Sequence, residues 1–196
     1  MPKAEQTRAF IIEKAAPVFN IKGFAGTSLT DLETATGLTK GSIYSNFENK
    51  DEVARAVFDF NLSQVSKLIN AEMSRYHSAK GQLLAYVKVY GRDMLKYPFP
   101  KGGCPVLNTA IESDDTHPEL RKKASAAIIE WKDRIVNLVK MGIKSKEFRR
   151  SVDAERTALT IVAAIEGAIM VSKVTGRLDY LNVVMKSVKE IIEGLE

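Results

Sequence analysis

The chain has 196 residues, a net charge of +5, and 45% hydrophobic, 27% charged and 8% aromatic residues. That is an ordinary globular balance, long enough to bury roughly 70% of its unfolded surface without staples. A single cysteine excludes an intrachain disulfide and a cysteine-rich zinc site and suits a reducing cytoplasm. No uninterrupted apolar run reaches the roughly 18 residues of a membrane span, and the polar opening Met1-Pro2-Lys3-Ala4-Glu5-Gln6 has no hydrophobic signal region. The basic excess invites a nucleic-acid partner, but its place in the chain matters. Residues 121–150 hold ten basic and three acidic residues, while residues 1–50 hold six and five.

In chain order, Phe10, Ile11, Ala15, Val18 and Phe19 form one apolar stripe, predicting a helix over 3–21 that Lys22 and Gly23 end. Thr27 or Ser28 caps a second, short helix with Asp31 in its first turn and Leu29, Leu32 and Ala35 facing inward. Gly37 stops it, Leu38 fills the turn, and Thr39 caps a third helix over 40–46. Phe47 anchors the chain before Asn49 caps a long fourth helix that runs to about residue 75. After a break near 78–81, a helix over 82–96 carries Leu83, Val87, Tyr90, Met94 and Leu95, and the Pro- and Gly-rich stretch 97–103 is a loop. Helices follow over 104–111, 118–144, 153–174 and 179–194, the third of them ended by Gly176. Thr116 or His117 caps the second, with Pro118 near its start. The last carries Leu181, Val184, Met185, Val188, Ile191, Ile192 and Leu195 on one face. No stretch alternates with period two. The fold class is all-α, with about nine helices.

The segment Thr27–Lys50 carries the function. A short capped helix, a glycine-centred turn and a second short helix make a helix-turn-helix, whose second helix enters the DNA major groove. Gly41 and Ser42 keep the tip of that helix narrow. Its N-terminus at Thr39 and Lys40 is expected to face phosphate, since free N–H groups and the helix dipole favour an anion. Tyr44, Ser45 and Asn46 supply hydroxyl and amide donors for phosphate oxygens, and Lys50 reaches the same backbone. Tyr44 has a second reading, as packing between the third and fourth helices.

Gly23-Phe24, Thr27-Ser28-Leu29-Thr30-Asp31-Leu32 and Lys40-Gly41-Ser42-Ile43-Tyr44-Ser45-Asn46-Phe47-Glu48-Asn49-Lys50 resemble the DNA-binding head of the TetR/AcrR family, with close agreement over residues 8–58. The resemblance implies phosphate contacts from Thr27, Lys40, Tyr44 and Lys50, and approach to base edges by Thr39, Gly41 and Ser42. Ser28, Ser45 and Asn46 complete the expected DNA-binding set. Asn46 stands where many members have histidine. It donates to phosphate but gains no charge by protonation.

The same resemblance implies a division into a DNA-binding head, 1–52, and a helical effector-binding and dimerisation domain, 53–196. The last two long helices would pair with those of a second chain, and Ala158, Ala163, Ala164, Gly167 and Ala168 permit close helix approach. An effector pocket is expected among Tyr86, Tyr90, Cys104, Asn108, Trp131 and Glu166. Gly102-Gly103-Cys104-Pro105 resembles a loop-to-helix start through which some members sense electrophiles, and a thiol at a helix N-terminus is activated. The plainer reading of Cys104 is a buried, inert residue.

These readings predict a cytoplasmic homodimer that binds palindromic operator DNA, most simply as a repressor, and lets go when a small molecule binds, an electrophile being one candidate. No metal or cofactor is implied. The alternative is a helical partner-binding module without sequence-specific DNA binding. An enzyme is not expected. The only histidines are His77 and His117, and no nucleophile elbow, zinc-protease, phosphate-loop or dinucleotide motif is present.

Overall fold

Apolar residues recurring every three or four positions fold into helices throughout the residues that the computed structural model describes, 2–93, 99 and 101–196. Among them lie nine α-helices: α1 (Lys3–Gly26), α2 (Leu29–Thr36), α3 (Lys40–Tyr44), α4 (Lys50–Met73), α5 (Ala79–Lys88), α6 (Pro105–Ser113), α7 (Pro118–Lys144), α8 (Ala154–Thr175) and α9 (Leu178–Glu193). A single π-helical turn, Val89–Asp93, continues α5. No strand occurs among the described residues.

The expected helices are present, with informative differences at their ends. α1 breaks at Gly23, whose φ of 73° and ψ of −179° are non-helical, and then resumes to Gly26. Ser28, not Thr27, caps α2, and His117, not Thr116, caps α7 by accepting the Leu120 N–H at Nδ1. α5 starts at Ala79, so the break comes before it and not over 78–81. Ser78 caps the helix, and the Glu147 carboxylate accepts the N–H groups of Ala79 and Lys80 at 3.1 and 3.0 Å. A cap borrowed from 68 positions away leaves no local sign. Positions 94–96 of the predicted helix, Met94 and Leu95 included, and positions 97, 98 and 100 of the predicted loop lie outside the described residues.

The chain divides into two compact units, Met1–Gln64 with Lys101–Ser125, and Val65–Pro100 with Ala126–Glu196. The first is built on buried Ile11, Ala15, Phe19, Leu32, Ile43, Phe47, Val53 and Val57, with Leu120 of α7 in the same cluster. α1 packs on both α2 and α6 there. In the second, α9 packs on α8 and α5, and Leu83, Ile135, Ile161, Ile165, Leu181 and Ile192 are fully buried.

α8 qualifies one expectation. It is, among the described residues, the one helix long and apolar enough to cross a membrane by length and composition. Glu166 breaks its uninterrupted apolar run. One face, Ala158, Ile161, Val162, Ile165, Ala168 and Ile169, is buried in the fold, as in a core helix.

Gly142 of α7 lies against the buried Phe148 ring, and a Cβ there would come within 2.2 Å of Phe148 Cδ2. Gly142→Ala should therefore lower the stability to urea by about 1–3 kcal/mol. The roughly 0.5–1 kcal/mol that alanine gains in a helix does not offset the collision. Unchanged or raised stability would show that Phe148 yields freely.

Candidate nucleic-acid interface

α2 is fixed by a reciprocal cap. Ser28 Oγ accepts the Asp31 N–H at 3.1 Å, and Asp31 accepts the Ser28 N–H at 2.9 Å. Lys22 Nζ lies 2.6 Å from the same carboxylate. That hydrogen bond, followed by those from the Ser28 backbone and hydroxyl, holds the Asp31 carboxyl down at about 2. Gly37, in the left-handed conformation, closes α2. Leu32 and Ile43 are wholly buried and lock α3 to it.

The N-terminus of α3 departs from expectation. Thr39 Oγ1 accepts the Ser42 N–H at 3.3 Å, and Glu33 reaches across the turn to accept the Lys40 N–H at 2.8 Å. Two of the N–H groups expected to await a phosphate are thus satisfied internally. The carboxylate puts negative charge where an anion was expected.

The side chains of the expected DNA-binding set lie at the surface to differing degrees. Ser28, Thr39, Lys40, Gly41 and Ser45 are exposed, and Ser42, Tyr44, Asn46 and Lys50 are half-buried. The Tyr44 ring packs against the core of the first unit, so its packing reading holds while part of the residue stays exposed. Asn46 Nδ2 donates to Ser42 O at 2.9 Å and to Ser45 Oγ at 3.2 Å, tightening the end of α3. Thr27 is only 1% exposed, and its hydroxyl donates to Gly23 O at 2.6 Å. As placed, it holds the turn and does not reach outward for a phosphate.

The turn between α1 and α2 is gripped from both sides. The Glu112 carboxylate of α6 accepts the N–H groups of Phe24 and Ala25 at 2.6 and 2.7 Å. Lys50 Nζ donates to the carbonyls of Phe24 and Thr27 at 2.9 and 3.1 Å and sits 4.3 Å above the Phe24 ring. An ammonium has three donors, so one is left to point elsewhere. Gly23 makes this possible. Its φ of 73° aims successive N–H groups at one carboxylate, and a Cβ would stand 2.5 Å from Glu112 Oε2. His117 Nε2 pairs with Asp51 Oδ1 at 2.9 Å, and its ring meets Phe24 edge-on with centroids 4.7 Å apart.

Sequence reasoning missed Glu112, Glu33 and Arg8. Arg8 pairs with Glu52 at 2.6 Å, donates to Asn46 O and lies 4.0 Å above the Phe47 ring, joining α1 and α4 to the end of α3. The Ser28-x-x-Asp31 spacing was a legible signal for the reciprocal cap. Glu112 and Arg8 act across 88 and 44 positions and left none.

The six expected effector residues are divided between the two compact units. Tyr86, Tyr90 and Trp131 come together in the second unit, with ring centroids 6.1 Å apart for Tyr86–Trp131 and 4.9 Å for Tyr90–Trp131. Glu166 lies in the same unit, on α8. Cys104 and Asn108 belong to the first. Asn108 Nδ2 donates to Asn20 O at 3.0 Å, Asn20 Oδ1 at 3.2 Å and Gly102 O at 2.8 Å. Its amide therefore ties α6 to the end of α1. Cys104 is 1% exposed at the start of α6. The basic run 121–150 is partly neutralised within each unit, by Lys123–Asp59 in the first and by Lys132–Glu155 in the second.

Fold and interface together define a helix-turn-helix DNA-binding protein. Residues 11–57 match the family model for bacterial regulatory proteins of the tetR family, and residues 79–188 match that for the tetracyclin repressor-like C-terminal domain. A TetR-family transcriptional regulator from Cytophaga hutchinsonii is 49% identical, with a TM-score of 0.94 over 100% of this chain and 98% of its own. A TetR regulator from Chloroflexus aurantiacus is 38% identical, with a TM-score of 0.92 over 98% and 97%. The HTH-type transcriptional regulator TtgR of Pseudomonas putida is 26% identical over 85% of this chain and 80% of its own. The chain belongs to the TetR family of transcriptional regulators.

Asp31 titrates below its ordinary 3.8, at about 2. A depressed carboxyl contributes stability that is present above the ordinary value and lost as pH falls through the shifted one. Asp31→Asn should melt at a lower temperature than wild type at pH 7, and the gap should close as pH falls from about 4 to about 2. A gap constant down to pH 2 would mean that charge at Asp31 contributes nothing.

Proposed function

We propose that the chain is a cytoplasmic repressor that binds palindromic operator DNA as a homodimer and is released by a small-molecule effector. Residues 1–52 serve as the reading head, and residues 53–196 serve effector binding and dimerisation. The observation that carries the proposal is the exposed edge of α3, Lys40-Gly41-Ser42 with Tyr44 behind it, on a helix capped at its start and pinned through Ile43. Thr39, Gly41 and Ser42 approach base edges. Ser28, Lys40, Tyr44, Ser45, Asn46 and the third donor of Lys50 hold phosphates, while Thr27 acts by fixing the turn.

Dimerisation is supported by the outer face of α8 and the start of α9. Leu159, Met170, Val174, Leu178 and Val183 are 45–81% exposed, an apolar stripe that a second copy would cover. Two heads then meet half-sites one or two DNA turns apart, about 34 Å per turn. The chain passes from one compact unit to the other three times, and two of the crossings lie within helices, α4 and α7. These helices are the covalent routes by which a ligand changes head spacing, at a typical coupling of about 1–3 kcal/mol. Cys104 is shielded as folded, so release rests on reversible binding and not on its alkylation. The chemistry is binding and release, without a catalytic step.

The test is fluorescence anisotropy of the purified protein on DNA from upstream of its own gene, over a salt series. Wild type should bind far above a scrambled duplex. Lys40→Ala and Tyr44→Ala should each weaken binding about tenfold or more. Lys40→Ala should also lower the salt slope by about 1, because it removes one phosphate-neutralising charge. Weak, sequence-blind binding that neither variant alters would favour the partner-module reading.

A further inference from the structure

The second unit holds an arrangement that operator binding does not use. Trp131 of α7 stacks on Tyr90 at an interplanar angle of 12° and on Tyr86 at 21°. Tyr86 and Trp131 are 1% and 9% exposed. Yet Tyr86 Oη and Trp131 Nε1, both buried, find no hydrogen-bond partner among the described residues. Buried polar groups are nearly always paired, because an unpaired one forfeits its hydration for nothing in return. Two on neighbouring rings is a concentration of unmet donors. Tyr90 is carried by the π-helical turn Val89–Asp93, a feature that costs regular hydrogen bonding and recurs at functional sites.

We propose that Tyr86, Tyr90 and Trp131 form the recognition site for an uncharged, flat, conjugated ligand bearing an oxygen acceptor such as a carbonyl. This rests on the ligand-responsive reading above and names the ligand's class. The donor set fixes the polarity. An indole N–H only donates. Burial pushes the Tyr86 hydroxyl up to about 12, so it stays protonated and able to donate. An oxygen acceptor is what either orphan lacks. The rings fix the shape, since flat aromatic faces favour offset stacking with flat partners. The absence of charge on the three side chains fixes the charge class, because an ionic ligand would be stripped of water with no counter-ion among them. The charges that act on Tyr86, Arg134 and Glu130, are opposite in sign. The Arg134 guanidinium is already engaged by Asn70 Oδ1 and Met73 Sδ.

The chain has one tryptophan, so the indole N–H gives a single nitrogen-15 NMR cross-peak that reports the orphan donor directly. The probes are coumarin, a flat bicycle with a carbonyl, and naphthalene, of like shape with no acceptor. Coumarin should move the indole proton downfield saturably, as a new hydrogen bond does. Naphthalene should bind about tenfold more weakly or worse, without the downfield shift. Tyr86→Phe should cost coumarin about tenfold in affinity, the worth of one hydrogen bond, and leave naphthalene unchanged. The variant should fold, because it removes an unpaired group. An indole peak that coumarin leaves in place, or equal binding of both probes in wild type and Tyr86→Phe, overturns the proposal. So does an indole proton already at hydrogen-bonded shift without ligand, which would mean that buried water serves the donors. Operator affinity is measured on the same samples. Coumarin binding without loss of DNA leaves the site standing and removes its link to repression, whereas failure of the free protein to bind operator strikes only the repressor reading.

Discussion

The presentation of the DNA-reading helix depends on five residues at the kinked end of α1, Gly23 to Thr27, held by charge from two directions. Glu112 takes its N–H groups and Lys50 takes its carbonyls. Hydrogen bonds to charged groups contribute about 1.5–3 kcal/mol each, several times what a surface ion pair offers. The turn sets the entry to α2, whose cap and buried Leu32 set α3. Without the grip, a glycine in a left-handed conformation would leave the junction loose, since that residue is chosen for freedom and not for rigidity.

The same grip gives α6 its importance. Its side chains reach the head twice, through Glu112 at the turn and through Asn108 at the end of α1. A displacement of α6 is therefore a displacement of the turn. The internal capping of α3 by Thr39 and Glu33 works in the same direction. The recognition helix arrives with the Lys40 and Ser42 N–H groups already satisfied, so less ordering remains to be done when DNA binds, and less affinity is lost to it. The aromatic cluster of the second unit differs from that capped helix. It keeps two donors unsatisfied on neighbouring rings, beside a helix irregular at Val89–Asp93, as suits a site completed by something else.

Much of this was legible in the sequence, because the signals were local. Apart from the helix over 82–96, whose predicted end lies outside the described residues, helical periodicity gave the helices to within a few residues, and the Thr27–Lys50 motif gave the head. Misplaced ends came from distant partners: α5 begins where Glu147 caps it, not where Gly81 suggested a break. The site was legible as a set of residues, less so as a division of labour. Thr27, Lys50 and Asn108 each looked like ligand contacts, yet each spends side-chain donors on backbone carbonyls. A polar side chain serves ligand or fold according to which acceptors the tertiary structure brings within about 3 Å, and that information is not local. For Cys104 the sequence offered both a reactive helix-start thiol and a buried residue, and its burial accords with the second, plainer reading.

The most direct test is the operator affinity of Glu112→Gln, with helix content followed by circular dichroism. The amide is isosteric, but it can offer an oxygen to only one of the two N–H groups and sets its own donors against the other. If the grip positions the head, affinity falls about tenfold or more while helix content stays at the wild-type level. Operator binding equal to wild type would contradict the account, because the turn would then hold its shape, and the recognition helix its place, without Glu112.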